Sequence, residues 1–140
     1  MSPPVSVVIR TLNENIALSR LLTAIDAQSY SGRIEVIVVD NESTDGTAKT
    51  ARTGGATVVT LPRTDFSYPR SMNLGMQAAT NEVVLLTVGH ALPLSRHWIS
   101  NAVRHFDDLA VAPLRRATLV TVPALKLLVA TSMLLVFLNW

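Results

Sequence analysis

The chain has 140 residues, the size of a single domain, and no cysteine, which excludes a disulfide framework and a thiolate metal site. The formal net charge is only +2, and the basic residues are scattered except for the adjacent pair Arg115 and Arg116, which argues against nucleic-acid binding. The first residues, MSPPVSVVIR, lack the charged start and long apolar centre of a signal peptide, so we expect a cytoplasmic location.

Strand-like and helix-like segments alternate along the first three quarters of the chain. Short β-branched runs predict buried strands, and apolar residues three or four positions apart predict helices. In chain order the predicted elements are a strand at 5–9, a helix at 14–27, a strand at 34–39, a helix opening at 45–47 and closed by Gly54 and Gly55, a strand at 56–61, a helix capped by Ser67 with Pro69 in its first turn, a strand at 83–87, and a helix from 95 through 106. This alternation predicts an α/β fold, a Rossmann-like and mostly parallel sheet with helices on both faces.

Polar residues follow the predicted strands, at the ends where parallel sheets bind ligands. These segments are 10–14, 40–45, 61–65 and 88–90. Asp40 comes directly after a buried run, so its carboxylate is expected at a fixed place, where it can accept hydrogen bonds from a nucleoside. Glu14 lies in another of these segments. Arg70, near a predicted helix start, is able to pair with a phosphate or a base carbonyl.

The segment DNESTD also has a purely structural interpretation. Asp40, Asn41, Ser43 and Asp45 are residue types that close turns and cap helices. The residues alone leave the ligand and turn interpretations open. A different doubly wound domain, such as a mononucleotide-binding or response-regulator-like one, is disfavoured, since no GxGxxG or GxxxxGK[ST] motif follows the first strand.

Three segments, VSVVIRTLNE, VIVVDNESTDGT and YPRSMNLGMQAATNEVVLLTVGHALP, resemble the nucleotide-sugar half of family 2 glycosyltransferases, which have the GT-A fold. The resemblance covers about residues 5–106 and keeps the family's order and spacing. It implies transfer of a sugar from a nucleotide diphosphate sugar to an acceptor hydroxyl, in cell-wall or polysaccharide biosynthesis.

The resemblance assigns the nucleotide-sugar-binding site residue by residue. It implies that Thr11 and Glu14 line the nucleoside, that Asp40 hydrogen-bonds the base, that Asp45 is the motif acid at a helix start with capping as the alternative, and that Arg70 and Asn73 lie beside the nucleotide and the donor sugar.

One departure from the family pattern concerns the metal. The resemblance implies a divalent cofactor, Mn²⁺ or Mg²⁺, on an Asp-x-Asp motif after the fourth strand, but this chain has Val88-Gly89-His90 there. His90 is a candidate ligand for Mn²⁺, whereas Mg²⁺ prefers oxygen, and the alternative is a structural histidine. Some similar members carry a small-x-His-Ala-x-Pro version, so the absence of Asp-x-Asp does not imply loss of function.

The other departure concerns the acceptor. The family's catalytic base and acceptor pocket lie well downstream, and beyond His90 this chain has only the acids Asp107 and Asp108. No catalytic residue is therefore assigned, and the chain alone is expected not to transfer sugar. The alternative to a glycosyltransferase is a truncated or non-catalytic remnant that binds nucleotide sugar and lacks the acceptor half.

Composition divides the chain into a nucleotide-sugar-binding domain at 1–112 and an apolar tail at 113–140, predicted as a C-terminal helix. The tail is long enough to span a membrane, although Lys126 near its middle opposes insertion. A membrane helix, a helix packed on the sheet and a non-native end remain alternatives. A membrane helix would anchor a cytoplasmic domain to the inner face of the membrane, close to a membrane- or lipid-linked acceptor.

Overall fold

The computed structural model describes residues 1–107 and 126–129, with side chains described through residue 105. The elements are β1 (Val5–Thr11), α1 (Asn15–Asp26), β2 (Ile34–Asp40), α2 (Thr47–Thr53), β3 (Thr57–Thr60), a 3-10 turn (Arg63–Asp65), α3 (Tyr68–Ala78), β4 (Val83–Val88), α4 (Trp98–Asp107) and β5 (Lys126–Val129). The predicted strands and helices of the first 107 residues are all confirmed, with bounds that differ by a few residues.

The described strands form a parallel sheet in the order β3-β2-β1-β4-β5. β1 is central, and its last residue, Thr11, is paired with Asp40 at the end of β2. On its other side Arg10 is paired with Val88 at the end of β4. The inner strands are rich in valine, isoleucine and leucine because helices cover the sheet from both sides.

The helices divide between the two faces of the sheet, as predicted. α1, α2 and α4 pack on one face through a buried cluster that includes Leu21, Ala51 and Ile99. α3 packs on the other face, where Met76 joins a cluster with Val8. Successive residues of a strand point to opposite faces, so the side chains of β1 alternate between the two clusters.

The ends of the helices follow the capping residues in the sequence. Ser67 caps α3 by accepting a hydrogen bond from the backbone N–H of Arg70 at 3.2 Å. Gly55, just after α2, has φ +81°, a left-handed conformation that glycine adopts without steric cost. α4 begins at Trp98, three residues later than predicted, since the Ser95 hydroxyl caps a preceding turn through the N–H of His97 at 3.1 Å.

Strand β5 corrects part of the prediction for the tail. Lys126–Val129 pair in parallel with β4, so the predicted C-terminal helix does not extend through them. The unpaired backbone groups along β4 offer hydrogen bonds to an extended apolar segment, and its short apolar run has no periodicity that separates strand from helix. The rest of the tail and the proposed boundary at 112 lie outside the described residues. Among the residues described, no helix combines the length and the apolar character needed to cross a bilayer.

Candidate functional site

The carboxyl edge of the sheet has a topological switch at β1. The chain runs from β1 to β2 and β3 on one side and then crosses to β4 on the other side of β1. Loops that leave neighbouring strands at such a point diverge and leave a crevice for a ligand. The segments after β1, β2 and β4 border this point, and each of them contains a predicted site residue.

Asp40 lies at the end of β2, buried beside Thr11 of β1. The residue Asp40 is 3% exposed and Thr11 is fully buried. Its Oδ1 accepts a long hydrogen bond of 3.4 Å from the Thr11 hydroxyl, and Oδ2 accepts one of 3.1 Å from the N–H of Ser43. A carboxylate has about four acceptor positions, so these two donors leave capacity for a ligand. Asp40 is therefore a fixed acceptor at the edge of the crevice, as predicted from its place after a buried strand.

Asp45 joins the loops after β1 and β2. Its Oδ2 accepts a hydrogen bond from the N–H of Asn15 at 3.0 Å, and Oδ1 accepts from the N–H and the hydroxyl of Thr47 at 3.0 and 2.5 Å. The Thr47 hydroxyl, followed by the Asn15 N–H, holds the pKa of this carboxyl below its ordinary value. These contacts agree with the turn interpretation of Asp45, whereas the N-cap residue of α2 is Gly46; a ligand role for Asp45 stays a prediction.

Further hydrogen bonds join the same two loops. They run from the N–H of Asn13 to Ser43 Oγ at 2.8 Å, from the N–H of Thr44 to Asn13 Oδ1 at 2.8 Å, and from the N–H of Glu14 to Thr47 Oγ1 at 2.9 Å. Polar residues of the DNESTDGT segment therefore fix the backbone of the loop after β1. Part of this segment builds the site by holding that loop in position.

Glu14 and His90 contact each other across the switch point. Glu14 Oε1 is hydrogen-bonded to Nδ1 of His90, and the two side chains are 17% and 62% exposed. The other oxygen, Oε2, is buried with no hydrogen-bond partner in the described part of the chain. In the neutral tautomer that carries its proton on Nδ1, His90 donates to this carboxylate and Nε2 is left as an acceptor. The sequence analysis considered Glu14 and His90 one at a time, so it did not predict that they would join the loops after β1 and β4.

Gly89 allows that close approach. A Cβ atom at this position would collide with Glu14 Oε2 and would lie 2.8 Å from Cγ2 of Thr11. The motif Val88-Gly89-His90 therefore has a steric requirement at its centre. A side chain there would displace Glu14 from its position beside His90.

Arg70 and Asn73 lie on α3. Arg70 forms an ion pair with Asp65 at 3.2 Å, and the two side chains are 60% and 43% exposed. Asn73 lies about one turn further along the helix and is half-buried. In the described contacts neither residue touches Asp40, Glu14 or His90, so the structure leaves the predicted donor-site residues as separate groups.

Arg10, which the sequence interpretation did not select, is a further charged group at this edge. Its guanidinium carbon is 5.1 Å from the ring centroid of Phe66 and 4.6 Å from that of Tyr68. The two rings meet edge to face at 5.4 Å. The signal in the sequence is a basic residue one position before the end of an otherwise apolar strand, VVIRT.

The donor set at the metal position is incomplete for a hard cation. Val88 offers a buried apolar side chain and Gly89 none, and within the described ranges no cluster of three or more His, Asp or Glu side chains is arranged to hold an ion. Mg²⁺ favours octahedral oxygen coordination. The described residues around His90 therefore do not fit an Mg²⁺ site of the Asp-x-Asp kind.

The fold and the placement of these groups define a GT-A-type domain that resembles solved glycosyltransferases. A mannosyltransferase of Pyrobaculum calidifontis, solved with GDP-Man and Mn²⁺, superposes with a TM-score of 0.67 at 30% identity, over 77% of this chain and 33% of that one. TarS of S. aureus superposes with a TM-score of 0.61 at 26% identity, over 76% of this chain and 20% of that one.

The family follows from the sequence match. The profile of Glycosyl transferase family 2 matches residues 6–120, and the chain belongs to that family. Uncharacterized glycosyltransferases of Mycobacterium tuberculosis and Mycobacterium bovis are 42% identical over 80 residues, which is 57% of this chain and 34% of theirs. The chain thus spans about a third of the length of these relatives. The predicted family and fold are confirmed.

Proposed function

We propose that the carboxyl edge of this sheet binds the nucleoside diphosphate of a sugar donor, as part of a glycosyltransferase. The observation that carries the proposal is Asp40, a buried carboxylate held by Thr11 and the Ser43 N–H beside the switch point. A fixed carboxylate suits the paired N–H groups of a base or the hydroxyls of a ribose. Support for the donor class comes from the mannosyltransferase solved with GDP-Man and from TarS solved with UDP-GlcNAc.

In this proposal each predicted donor-site residue has a separate task. Asp40 accepts hydrogen bonds from the nucleoside, the buried Thr11 orients the Asp40 carboxylate, and Asp45 keeps the loops after β1 and β2 in position. Glu14 orients His90, while Arg70 and Asn73 lie where α3 borders the donor. The divalent cofactor in this proposal is Mn²⁺, for which His90 Nε2 is the available nitrogen ligand, whereas the described donor set does not fit Mg²⁺.

The acceptor side of the proposal is a hydroxyl on a membrane- or lipid-linked molecule. Its support is the apolar sequence of residues 113–140. Transfer also requires a general base within hydrogen-bond reach of that hydroxyl. The sequence has two acids after His90, and one of them, Asp107, is the last of the 10 residues of α4. Since no general base is assigned, a chain that binds the donor without transferring sugar remains the alternative.

Calorimetric titration with UDP, GDP and dTDP tests the donor site. One of them is expected to bind, and Asp40→Ala should weaken that binding by about 1–3 kcal/mol, since it leaves a ligand donor unpaired at a buried position. Asp26→Ala, an exposed acid at the end of α1, is the matched control and should leave the affinity unchanged.

The thermal midpoint of each variant separates loss of binding from loss of fold. Asp40→Asn keeps the size of the side chain and one oxygen acceptor, so it should stay folded and lose part of the affinity. Failure of all three diphosphates to bind, or equal effects of Asp40→Ala and Asp26→Ala, would refute the proposal.

A further inference from the structure

Arg10 is a cation held in place without a carboxylate partner in the described part of the chain. The rings of Phe66 and Tyr68 lie over its guanidinium, and its Nε is buried with no hydrogen-bond partner there. Cation–π contacts fix the position of a guanidinium but leave its charge uncompensated. The side chain is half-buried, so part of it remains accessible to a ligand.

The other arginines of this edge are already engaged. Arg70 pairs with the carboxylate of Asp65. Arg63 donates from Nε and Nη2 to the backbone carbonyls of Asn41 and Glu42 at 3.4 and 3.1 Å. Among the described arginines near the strand ends, Arg10 is therefore the one whose guanidinium makes neither an ion pair nor a hydrogen bond with the described residues, so its N–H donors are available to an anion.

Arg10 lies in β1, between the Asp40 side and the His90 side of the proposed donor site. Arg10 precedes Thr11, whose hydroxyl contacts Asp40, and it is in register with Val88, two residues before His90. Arg10 and Thr11 point to opposite faces of the sheet. However, Phe66 lies in the connection from β3 to α3 and Tyr68 is the first residue of α3, so the contact with these rings brings the guanidinium to the carboxyl edge.

We propose that Arg10, clamped by Phe66 and Tyr68, binds the diphosphate of the donor. Its guanidinium supplies positive charge that a metal on an Asp-x-Asp motif would otherwise provide. The inference rests on the proposed function and assigns it a specific residue. A guanidinium presents paired N–H donors that match phosphate oxygens and stays protonated at every working pH. Charge-assisted hydrogen bonds to a partly buried guanidinium are stronger than those to an exposed one, since screening by water is weaker.

The test compares ligands that differ only in phosphate. Nucleoside, monophosphate and diphosphate of uracil, guanine and thymine are titrated calorimetrically in EDTA, against the wild type, Arg10→Gln, Arg10→Lys and the control Arg20→Gln. Arg20 is an exposed arginine on α1. Arg10→Gln should weaken diphosphate binding about ten- to a hundredfold and change nucleoside binding by less than about twofold. Arg10→Lys keeps the charge but loses the paired N–H donors of the guanidinium, so it should show an intermediate loss of diphosphate affinity. Arg20→Gln should show no loss.

The clamp has its own variants. Phe66→Leu and Tyr68→Leu remove one ring each and leave Arg10 intact, so each should weaken diphosphate binding about three- to tenfold with nucleoside binding unchanged. A merely structural role of Arg10 would lower the affinity for nucleoside and diphosphate alike. Thermal midpoints identify any variant that fails to fold, in which case Arg10→Lys and the ring variants decide.

The outcomes separate the two proposals. If no nucleoside, monophosphate or diphosphate binds, the proposed function fails. If nucleoside binding depends on Asp40 but diphosphates gain nothing from Arg10, the inference alone is overturned. Inorganic pyrophosphate is the last ligand tested. If it binds the wild type but not Arg10→Gln, and no nucleotide binds, then Arg10 binds phosphate from a ligand other than a nucleotide, and its role at the sugar donor is refuted.

Discussion

Gly89→Ala tests the geometry that joins the loops after β1 and β4. Gly89 does not have a left-handed φ, so alanine there meets no backbone penalty and the substitution tests space alone. The new Cβ would press on Glu14 Oε2 and lie 2.8 Å from Thr11 Cγ2, whereas ordinary contact begins at 3.4 Å. Overpacking of this kind costs about 1–3 kcal/mol of unfolding free energy. We expect a loss in that range, since Thr11 is buried and cannot move freely.

A double-mutant cycle measures the share of that cost that comes from Glu14. In a Glu14→Ala background the carboxylate that meets the new Cβ is gone, so Gly89→Ala should cost at least about 1 kcal/mol less than in the wild type, a coupling typical of residues in contact. Gly55→Ala is the control, because Gly55 has φ +81° and no atom within 4 Å of the place that an alanine methyl group would take. Its cost of about 1–2 kcal/mol comes from backbone strain and should not depend on Glu14.

Denaturant unfolding followed by circular dichroism measures all six proteins of these cycles. The ring ¹⁵N shifts of His90 provide a second readout, since displacement of Glu14 removes the hydrogen bond at Nδ1. Additive effects of Gly89→Ala and Glu14→Ala, together with unchanged His90 shifts in Gly89→Ala, would show that the two loops do not meet as described.

Two further predictions concern pH and metal. Burial by itself would raise the pKa of Glu35, but hydrogen bonds from Ser6 and Thr80 outweigh it and the net pKa is lowered from 4.5. Glu35 therefore stabilises the fold above about pH 4.5 and loses that contribution as the pH falls through its lowered pKa. In urea unfolding, Glu35→Gln should lower the free energy of unfolding by about 1 kcal/mol at pH 7 and by a smaller amount at pH 3. An equal loss at both pH values would contradict this. Because Val88-Gly89-His90 stands in place of Asp-x-Asp, Mg²⁺ should change nucleotide affinity by less than about threefold. Any increase in nucleotide affinity caused by Mn²⁺ should vanish in His90→Ala. A tenfold increase caused by Mg²⁺ that survives His90→Ala would mean that the metal site lies elsewhere.

The order of the elements could be predicted from the sequence because it depends on local signals. The β-branched runs at 5–9, 34–39 and 83–87 and the cap at Ser67 carry that information within a few residues. The position of Asp40 followed in the same way, since the end of a buried parallel strand is a place where a ligand meets the sheet. Family membership was also accessible, because three motifs occur in the right order and spacing.

The tertiary structure decided which of these residues meet. Glu14 and His90 are 76 positions apart and touch because the strand order places β4 directly beside β1. The aromatic clamp on Arg10 likewise depends on how the connection from β3 to α3 crosses the sheet edge. β5 forms from an apolar segment whose sequence suits a strand or a helix equally, and the open hydrogen-bonding edge of β4 selects the strand. Periodicity and motif spacing report on single elements, whereas contacts between loops depend on strand order and register, which local sequence does not encode.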